Sequence, residues 1–275
     1  MVTTWFITGA SSGFGRELTE QLLRRGDRVA ATARRPELLE DLRADADGRL
    51  WTSALDVAVT ADVGTVVDRA FAHFGRIDVV VNNAGYGLFA AAEEATAEQI
   101  HRSIATNLMG PIDVVRAALP HLRRQSGGRI VQVSSAGGQV AFPGLGYYHA
   151  TKWGIEGFCE SVAAEVEPFG IGVTIVEPGM TPTGFLRAMD VAEPMEDYER
   201  GAFGAHRRAM LSGDVQGPND AGAIAAAMIT SADDPQAPLR LPLGVDTFDD
   251  LHAAYSTRLR QLEAMRDVAR SVRAR

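Results

Sequence analysis

Near its beginning the chain contains Trp5-Phe6-Ile7-Thr8-Gly9-Ala10-Ser11-Ser12-Gly13-Phe14-Gly15. The first four residues of this stretch are apolar, aromatic or β-branched, which predicts a buried strand that ends at Gly9. Apolar residues then recur at helical spacing from Phe14 to Arg25. A glycine-rich turn between a strand and a helix lets a pyrophosphate approach the N–H groups at the start of the helix. The same turn is also compatible with a plain tight connection, so its meaning depends on the sequence that follows.

Strands and helices alternate along the rest of the chain. Short runs rich in Val, Ile and Ala predict strands at about 28–33, 50–54, 77–81, 129–133, 172–176 and 239–241. Helical patterns lie between and after them, at about 37–46, 63–75, 97–124, 146–166, 219–230 and 249–270. This alternation predicts an α/β fold of the doubly wound (Rossmann) type, in which helices cover both faces of a parallel sheet.

The domain organisation follows from the absence of a linker in the sequence. We expect residues 1–275 to form a single domain with a C-terminal helix at about 249–270. Residues at about 180–216 break the alternation. They predict a lid over the carboxyl ends of the strands, where sheets of this type bind their ligands. Gly110-Pro111 lies inside the long helical pattern and predicts a kink or local unwinding just before it, because proline removes a backbone donor.

The composition excludes several classes of protein. The 275 residues carry a formal net charge of −8, so no broad positive field is available to attract nucleic acid or an anionic membrane. Cys159 is the one cysteine, and the six histidines show no metal-ligand spacing, so neither a disulfide framework nor a metal site is expected. No apolar run reaches the roughly 20 residues that span a bilayer, and Met1-Val2-Thr3-Thr4 lacks the basic region of a signal peptide. These features predict a cytoplasmic protein without nucleic-acid or membrane partners.

A group of residues with catalytic potential lies in the middle of the chain. Ser135 follows the strand at 129–133, and Tyr148 and Lys152 are four residues apart, so they share one face of a helix. Reduction of a carbonyl group needs a proton donor at the developing alkoxide. A lysine ammonium and the positive ring of an oxidised nicotinamide would lower the tyrosine pKa from about 10. Ser135 can orient the carbonyl oxygen, and Asn107 is placed to relay protons to the lysine. A Tyr-x3-Lys pair alone more often marks a solvated helix surface, but here the glycine-rich turn accompanies it.

The end of the second predicted strand bears on the choice of cofactor. NAD binding usually places an acidic residue there, to accept a hydrogen bond from the 2′-hydroxyl of the adenosine ribose. This chain has Ala33 at that point, followed by Arg34 and Arg35. Because a guanidinium forms charge-assisted hydrogen bonds with a phosphate, the sequence favours NADP(H) over NAD(H). The alternative is that both arginines are solvated charges at the start of a loop.

In their order and at these strand ends, the motifs resemble the short-chain dehydrogenase/reductase family, in its smaller single-domain branch. They comprise Thr8-Gly9-x3-Gly13-x-Gly15, Asn82-Asn83-Ala84-Gly85, Asn107, Ser135, Tyr148-x3-Lys152 and Pro178-Gly179-Met180-Thr181-Pro182-Thr183. The resemblance implies a catalytic set made of Asn107, Ser135, Tyr148 and Lys152. In that set Tyr148 is the acid/base, and Lys152 orients the ribose and lowers the tyrosine pKa.

The resemblance also assigns residues to the cofactor. The implied contacts are Gly9, Ser11, Ser12, Gly13, Phe14 and Gly15 at the pyrophosphate turn, Ser11 and Arg34 at the 2′-phosphate, Asp56 and Val57 at the adenine, Asn83, Ala84 and Gly85 beside the adenosine ribose, Tyr148 and Lys152 at the nicotinamide ribose, and Pro178, Gly179, Thr181 and Thr183 at the carboxamide. Many NADP-using relatives carry a basic residue where this chain has Ser12. The NADP(H) prediction therefore depends mainly on Arg34 and on the missing acid.

The function that these residues predict is hydride transfer between NADP(H) and a ketone or secondary alcohol. Apolar residues of the lid predict an apolar substrate, and they include Met180, Phe185, Leu186, Met189, Met195, Tyr198, Phe203 and Met210. Two alternatives are an NADP-binding sensor without turnover and, less favoured, a sugar-nucleotide epimerase, which normally needs a larger C-terminal domain. His149 follows the tyrosine and is expected to point away from it. The family resemblance predicts a homodimer or homotetramer. Within the family, the overall pattern of the chain most resembles the hydroxysteroid and retinol dehydrogenases.

Overall fold

A sheet of seven parallel strands is the centre of the computed structural model, which describes residues 2–44, 46–212 and 217–274. Its strands are β1 (Thr4–Thr8), β2 (Arg28–Ala33), β3 (Leu50–Ala54), β4 (Val79–Asn82), β6 (Gly128–Val133), β7 (Ile171–Pro178) and β9 (Arg240–Leu243). Their spatial order is β3-β2-β1-β4-β6-β7-β9. The chain therefore builds one half of the sheet outward from β1 and the other half outward from β4. The carboxyl ends of these two strands meet at the reversal point, which is where sheets of this kind bind ligands.

Helices cover both faces of the sheet. The helices of the sheet layers are α1 (Gly13–Arg25), α2 (Thr60–Phe74), α3 (Ala97–Ile104), α4 (Gly110–Arg124), α5 (Gly146–Val166) and α8 (Ala221–Asp233). On one face, α2, α4 and α5 pack residues such as Val66, Val114 and Ile155 against Phe6 of β1. On the other face, α1 and α8 pack against the neighbouring strand residues Trp5 and Ile7. Alternate residues of β1 thus enter opposite cores, and the predicted doubly wound α/β fold is confirmed.

The long helical pattern at 97–124 is locally unwound just before Pro111, as expected. Between α3 and α4 the backbone forms a π-helix over Ala105–Met109, and Gly110 begins α4 with helical φ and ψ angles. A β-carbon at Gly110 would lie 2.7 Å from the carbonyl oxygen of Val57, so only glycine allows this helix to lie so close to the loop after β3. The irregularity expected at Gly110-Pro111 is present, but it is an extra residue in one turn.

The helix expected at 37–46 is wrong in type and length. The structure has a 3₁₀-helix over Pro36–Leu42 in its place. Leu39 is its one buried residue, so little apolar surface is available to stabilise further turns. Pro36 occupies the first turn, where its missing N–H costs nothing.

The region predicted as a lid contains short elements of its own. Strand β8 (Asp190–Val191) pairs in parallel with β5 (Leu88–Phe89), and α6 (Glu196–Glu199) and α7 (Ala202–Leu211) follow. Residues 213–216 of the predicted 180–216 segment lie outside the described residues. A small second sheet therefore fixes the first part of this region to the loop after β4.

The C-terminal helix begins earlier than expected. Helix α9 covers Val245–Ala264, and a separate short helix α10 covers Arg266–Ser271. Gly244, at the end of β9, has a φ of 123° and turns the chain directly into α9. Within the described ranges, no helix is both long enough and apolar enough to cross a membrane.

Candidate active site

The turn between β1 and α1 has a backbone that requires glycine. Gly9 and Gly13 have φ angles of 67° and 53°, a region that other residues rarely adopt. A β-carbon at Gly15 would overlap the carbonyl oxygen of Gly9 and the amide of Asn83, so Gly15 permits close packing of the helix on the turn. No side chain caps α1, whereas Thr96 caps α3. The first N–H groups of α1 are therefore available to an anion, and this cradle fits the pyrophosphate of a dinucleotide.

Thr8 and Asn83 join the two strands at the reversal point. The Thr8 hydroxyl accepts hydrogen bonds from the backbone N–H groups of Asn83 and Ala84, at 3.0 and 3.1 Å. The Asn83 side-chain amide donates to the carbonyl oxygens of Thr8 and Gly9, at 3.0 and 3.1 Å. These four bonds hold the loop after β4 against the glycine turn, so both sides of the predicted cofactor site form one rigid unit.

Asn107 lies in the π-helix and is almost completely buried. Its side chain donates to the carbonyl oxygen of Tyr86 at 2.7 Å and accepts from the N–H of Tyr86 at 3.0 Å. A β-carbon at Gly85 would lie 3.1 Å from the Asn107 side-chain oxygen. The extra residue of the π-helix thus coincides with an amide that pairs with loop backbone instead of facing solvent.

Tyr148 and Lys152 lie side by side on α5, and both are buried. The Lys152 ammonium donates to the carbonyl oxygen of Val133 at 3.0 Å and lies 5.6 Å from the centre of the Tyr148 ring. Burial lowers the pKa of Lys152 to about 8. Burial also raises the pKa of Tyr148 to about 12, although a hydrogen bond with the Ser135 hydroxyl acts in the opposite direction. In the protein alone, desolvation of the phenolate therefore dominates the Tyr148 pKa, and the lowering expected from Lys152 together with an oxidised nicotinamide stays a prediction.

Ser135 shapes the backbone beside the tyrosine. Its hydroxyl accepts a hydrogen bond from the N–H of Gly137 at 3.0 Å and so caps a single 3₁₀ turn over Ala136–Gly138. The same hydroxyl reaches Tyr148. A ligand oxygen bound between these two hydroxyls would meet two donors at one point.

His149 does not point away from the tyrosine as expected, because the centres of the two rings lie 5.9 Å apart and His149 lines the same cavity. Its Nδ1 is 2.8 Å from the carbonyl oxygen of Gly137, and its Nε2 accepts a hydrogen bond from the N–H of Phe142 at 2.9 Å. This pairing requires the neutral ring with the proton on Nδ1, and burial lowers the pKa of His149 accordingly. His149 thus fastens the loop between Ser135 and Tyr148 from inside, and no periodicity in the sequence could indicate these two backbone partners.

A cavity of about 840 Å³ connects these features along the carboxyl edge of the sheet. Of the residues predicted for catalysis or cofactor binding, those that line it are Gly9, Ser11, Ser12, Gly13, Phe14, Arg34, Asp56, Val57, Asn83, Ala84, Gly85, Ser135, Tyr148, Lys152, Pro178, Gly179, Thr181 and Thr183. Gly15 and Asn107 are not part of the lining. They lie behind it and support the turn and the Gly85–Tyr86 loop.

The sequence reasoning missed several polar residues of the cavity wall. Arg102 and Thr106 line it from the end of α3 and the π-helix, and their i, i+4 spacing is the one signal that could have indicated them. Asp246 lines it from α9 and accepts a hydrogen bond from the N–H of Met180 at 2.7 Å and another from Asn219 at 2.9 Å. Asp246 is 66 residues from Met180 in sequence, and no local pattern connects them.

The end of the cavity near Tyr148 is apolar. Its side chains come from the loop after Ser135 and from the lid region, and they are Phe142, Leu145, Phe185, Leu186, Met189 and Met210. The Phe185 ring lies 5.7 Å from the Tyr148 ring, edge to face. Eight apolar lid residues were candidates either to face a substrate or to pack against the domain. Five of them line the cavity, namely Met180, Phe185, Leu186, Met189 and Met210, whereas Met195, Tyr198 and Phe203 do not.

Phe203 instead packs beneath the lid against a buried ion pair. Arg207 of α7 and Glu94 have side chains that are 5% and 0% exposed, and the guanidinium donates to both carboxylate oxygens at 2.7 and 2.5 Å. Glu94 also accepts from the N–H groups of Ala91 and Met195, at 2.6 and 3.0 Å. The Arg207 guanidinium lies 5.1 Å from the centre of the Phe203 ring. These contacts fasten α7, and with it Met210, to the body of the protein.

Known proteins match the chain over most of its length. Residues 3–193 match the family model described as short chain dehydrogenase. The chain is 40% identical over 253 residues to the oxidoreductase BOA17 of Botryotinia fuckeliana, which covers 90% of this chain and 91% of that protein. It is 37% identical over 195 residues to the 3-ketodihydrosphingosine reductase of Bacteroides thetaiotaomicron, with 70% of each chain covered.

Solved structures give the same result. A short-chain dehydrogenase from Streptomyces avermitilis superposes with a TM-score of 0.92 at 36% identity and full coverage of both chains. An alcohol dehydrogenase from Thermococcus sibiricus in complex with 5-hydroxy-NADP has a TM-score of 0.73 at 25% identity, covering 88% of this chain and 96% of that one. A dehydrogenase/reductase from Burkholderia phymatum in complex with NAD has a TM-score of 0.79 at 25% identity, covering 96% and 95%. The resemblance drawn from the motifs is confirmed, and the chain belongs to the short-chain dehydrogenase family.

Proposed function

We propose that the protein is an NADP(H)-dependent oxidoreductase that interconverts an apolar ketone and the corresponding secondary alcohol. The observation that carries the proposal is that Ser135, Tyr148 and Lys152 lie in the wall of the same continuous cavity as the glycine cradle. That cavity extends from the glycine cradle at one end to an apolar chamber at the other. The cradle suits a dinucleotide, and the hydroxyls of Ser135 and Tyr148 suit the oxygen of a carbonyl group.

The bound nicotinamide would supply or accept the hydride. Tyr148 would give its proton to the oxygen of the ketone as negative charge develops there, and Ser135 would hold that oxygen by a second hydrogen bond. Lys152 would hold the ribose of the cofactor and place positive charge beside the phenol. Asn107 would keep the Gly85–Tyr86 loop in place through its two bonds to the Tyr86 backbone. The apolar chamber would exclude water from the reacting groups.

The apolar lining supports a hydrophobic substrate. Phe185, Leu186 and Met189 of the lid region, together with Phe142 and Leu145, surround the space beside Tyr148. The similarity to a protein named as a 3-ketodihydrosphingosine reductase is in keeping with a ketone substrate.

The test of the proposed function is consumption of NADPH by the purified protein with a panel of aliphatic, aromatic and steroidal ketones. We expect turnover with hydrophobic ketones and much less with charged ones of the same size. Oxidation of the matching alcohols with NADP⁺ should regenerate NADPH. Binding of NADPH without turnover on the whole panel would contradict the proposal and favour a sensor.

Arg34 is the residue on which the NADP(H) preference depends. It is exposed, lines the cavity and follows Ala33, which offers no carboxylate to a ribose 2′-hydroxyl. Arg34→Ala is expected to raise KM for NADPH by about 10- to 100-fold, the value of one hydrogen bond to a charged group, and to leave KM for NADH unchanged. Steady-state kinetics with both cofactors measure this. Arg28→Ala is the matched control, because Arg28 is exposed at the opposite end of the same strand. Equal effects on both cofactors would refute a role for Arg34 at the 2′-phosphate.

Lys152 predicts how ketone reduction depends on pH. The Lys152 pKa is lowered to about 8 by burial, so the ammonium is present below that pH and is lost above it. Tyr148, with its pKa raised to about 12, keeps the proton that reduction consumes throughout this range. We therefore expect kcat for reduction, at saturating NADPH, to be constant below about pH 7 and to fall as the pH rises through 8. A profile that increases between pH 7 and 9 would contradict this assignment.

A further inference from the structure

Behind the proposed active site lies a buried cluster of acidic residues around one arginine. Glu156 of α5 and Glu177 of β7 are each about 1% exposed. Arg240 of β9 donates to both carboxylates, with 2.6 Å to Oε2 of Glu156. It also pairs with Glu160 at 2.8 Å, at the edge of the cluster, where that carboxylate is 51% exposed. Three acidic groups thus surround a single guanidinium.

The cluster also binds the loop that carries Ser135. The hydroxyl of Ser134 and the side-chain amide of Gln139 both donate to the Glu156 carboxylate. Gly138 lies so close that a β-carbon there would overlap this carboxylate. Glu156 therefore accepts hydrogen bonds from side chains on both sides of the turn that Ser135 caps.

The number of charges in the cluster favours a proton on one carboxyl group. Arg240 Nη1 contacts a carboxylate oxygen of both Glu156 and Glu177, so the two buried carboxyl groups lie side by side on the same nitrogen. Burial and the neighbouring Glu156 raise the pKa of Glu177 to about 7, although Arg240 acts in the opposite direction. One arginine does not neutralise two buried carboxylates, so keeping the proton costs less than burying a second negative charge.

We propose that Glu156 and Glu177 share one proton under the Arg240 guanidinium and that this pair positions the catalytic segments. Glu156 is four residues after Lys152 and eight after Tyr148, so it lies on the same face of α5 as these two residues. Glu177 immediately precedes the Pro178-Gly179 turn. The pair thus ties α5, the Ser134–Gln139 loop and the end of β7 together. It acts through these segments, because neither glutamate lines the cavity.

The single negative charge of the pair also influences the tyrosine and the lysine. The titratable and charged groups around Glu156 are Tyr148, Lys152, Cys159 and Glu160 on α5, Glu177 on β7, Arg240 on β9, and Tyr255 and Arg258 of α9, which reach Gln139. Its charge raises the pKa of both Tyr148 and Lys152. Loss of this charge should therefore lower both pKa values.

The first experiment measures the shared proton without substrate or cofactor. Because the folded-state pKa of Glu177 is raised from 4.5 to about 7, its contribution to stability is complete at low pH and is lost as the pH rises between those values. The amide of Glu177→Gln can still accept from Arg240 and donate to Glu156, and it is uncharged like the protonated acid. We expect its Tm to equal that of the unaltered protein near pH 5 and to exceed it by several degrees at pH 8. A Tm difference that is independent of pH would overturn the proposal.

The second experiment measures the positioning role and rests on the proposed function. In alcohol oxidation the phenolate of Tyr148 accepts the proton, so the rate rises with pH. Eight helical residues place Glu156 about 12 Å from Tyr148 along the helix axis. Above about pH 7 the shared proton is lost and both carboxylates are charged. In that range Glu156→Gln removes one full charge, which at this distance should move the rise about 0.5–1 pH unit lower. Glu160→Gln, which removes an exposed charge from the same arginine, is the control and should not move it.

The two experiments separate the possible failures. If no alcohol is oxidised, the proposed function fails, while the Glu177→Gln stability difference still decides the shared proton. If Glu156→Gln lowers kcat with an unshifted pH profile, the pair has only a structural role and the proposal is wrong. If Glu156→Gln does not fold, the pH dependence of alcohol oxidation is measured with Glu177→Gln instead. It retains the charge of the protonated pair, so we expect the profile below pH 7 to be unchanged. A shifted profile there would overturn the assignment.

Discussion

Tyr148→Phe is expected to lower kcat for ketone reduction by about 10²- to 10⁴-fold, the range that a positioned general acid contributes. The phenylalanine ring keeps the packing against Phe185 and against the Lys152 stem, so the fold and the cavity should be unaltered. What the variant loses is the hydroxyl that pairs with Ser135. KM for NADPH should change by no more than a few fold, because the glycine cradle is remote from this hydroxyl. Steady-state kinetics with a hydrophobic ketone measure both quantities.

The neighbouring residue provides the control for this prediction. Tyr147 is also on the first turn of α5, but its hydroxyl donates to the carbonyl oxygen of Ala92 outside the cavity. Tyr147→Phe removes an identical group and should leave kcat within a few fold of the unaltered protein. An equal loss of kcat in the two variants would mean that the hydroxyl of Tyr148 has no special part in proton transfer. The thermal stability of both variants shows whether a loss reflects misfolding.

The cofactor cradle could be predicted because its determinants are local. Gly9 and Gly13 have positive φ angles that the sequence can indicate through glycine alone, and the turn directly follows its strand. The Tyr148–Lys152 pair is local too, since residues four apart on a helix share a face. Both predictions needed only the alternation of strands and helices to place them at the same edge of the sheet.

The residues that sequence reasoning missed depend on distant partners. Arg240 meets Glu156 across 84 residues, and Asp246 meets the Met180 backbone across 66. Nothing near either residue distinguishes it from a solvated surface charge. The position of His149 was misjudged for a related reason, since its partners are backbone groups of a loop whose path the sequence does not specify.

The pKa of Tyr148 depends on more than its neighbours along the helix. Lys152 lies beside the tyrosine as expected, but in the protein without a cofactor the ammonium does not control the phenol. Both groups are buried, and desolvation opposes the charged form of each. A sequence shows which residues are neighbours on a helix and does not show how much water reaches them. The balance of these two effects therefore requires the structure.

Glu94→Ala is expected to destabilise the protein by about 3 kcal/mol, because it removes the buried carboxylate paired with Arg207 and leaves the partly exposed Glu199, 3.1 Å from the guanidinium, as the remaining counter-ion. Burial by itself would raise the pKa of Glu94, but the hydrogen bonds from Arg207 and from two backbone N–H groups outweigh it and hold the pKa below its usual value. The carboxylate is therefore charged at neutral pH. Denaturant unfolding at pH 7 measures the loss. Glu196→Ala removes a carboxylate from an exposed pair with Arg200, 79% and 71% exposed, and should cost less than about 1 kcal/mol.

The double variant Glu94→Leu with Arg207→Met shows whether the loss comes from the broken pairing with Arg207 or from the broken hydrogen bonds of Glu94 with the backbone. Without either charge, no guanidinium remains unpaired, and the methionine can still pack against Phe203. Replacement of a buried ion pair by apolar residues of similar size is often neutral in stability, so the double variant should recover most of the loss. Its α7 would then be held by packing and by the exposed pair of Arg208 with Glu199. Because Met210 of α7 lines the apolar chamber, we expect KM for a hydrophobic ketone to rise in the double variant while KM for NADPH stays the same. If the double variant is as unstable as Glu94→Ala, the backbone bonds of Glu94 to Ala91 and Met195 hold the lid, and the pairing with Arg207 does not.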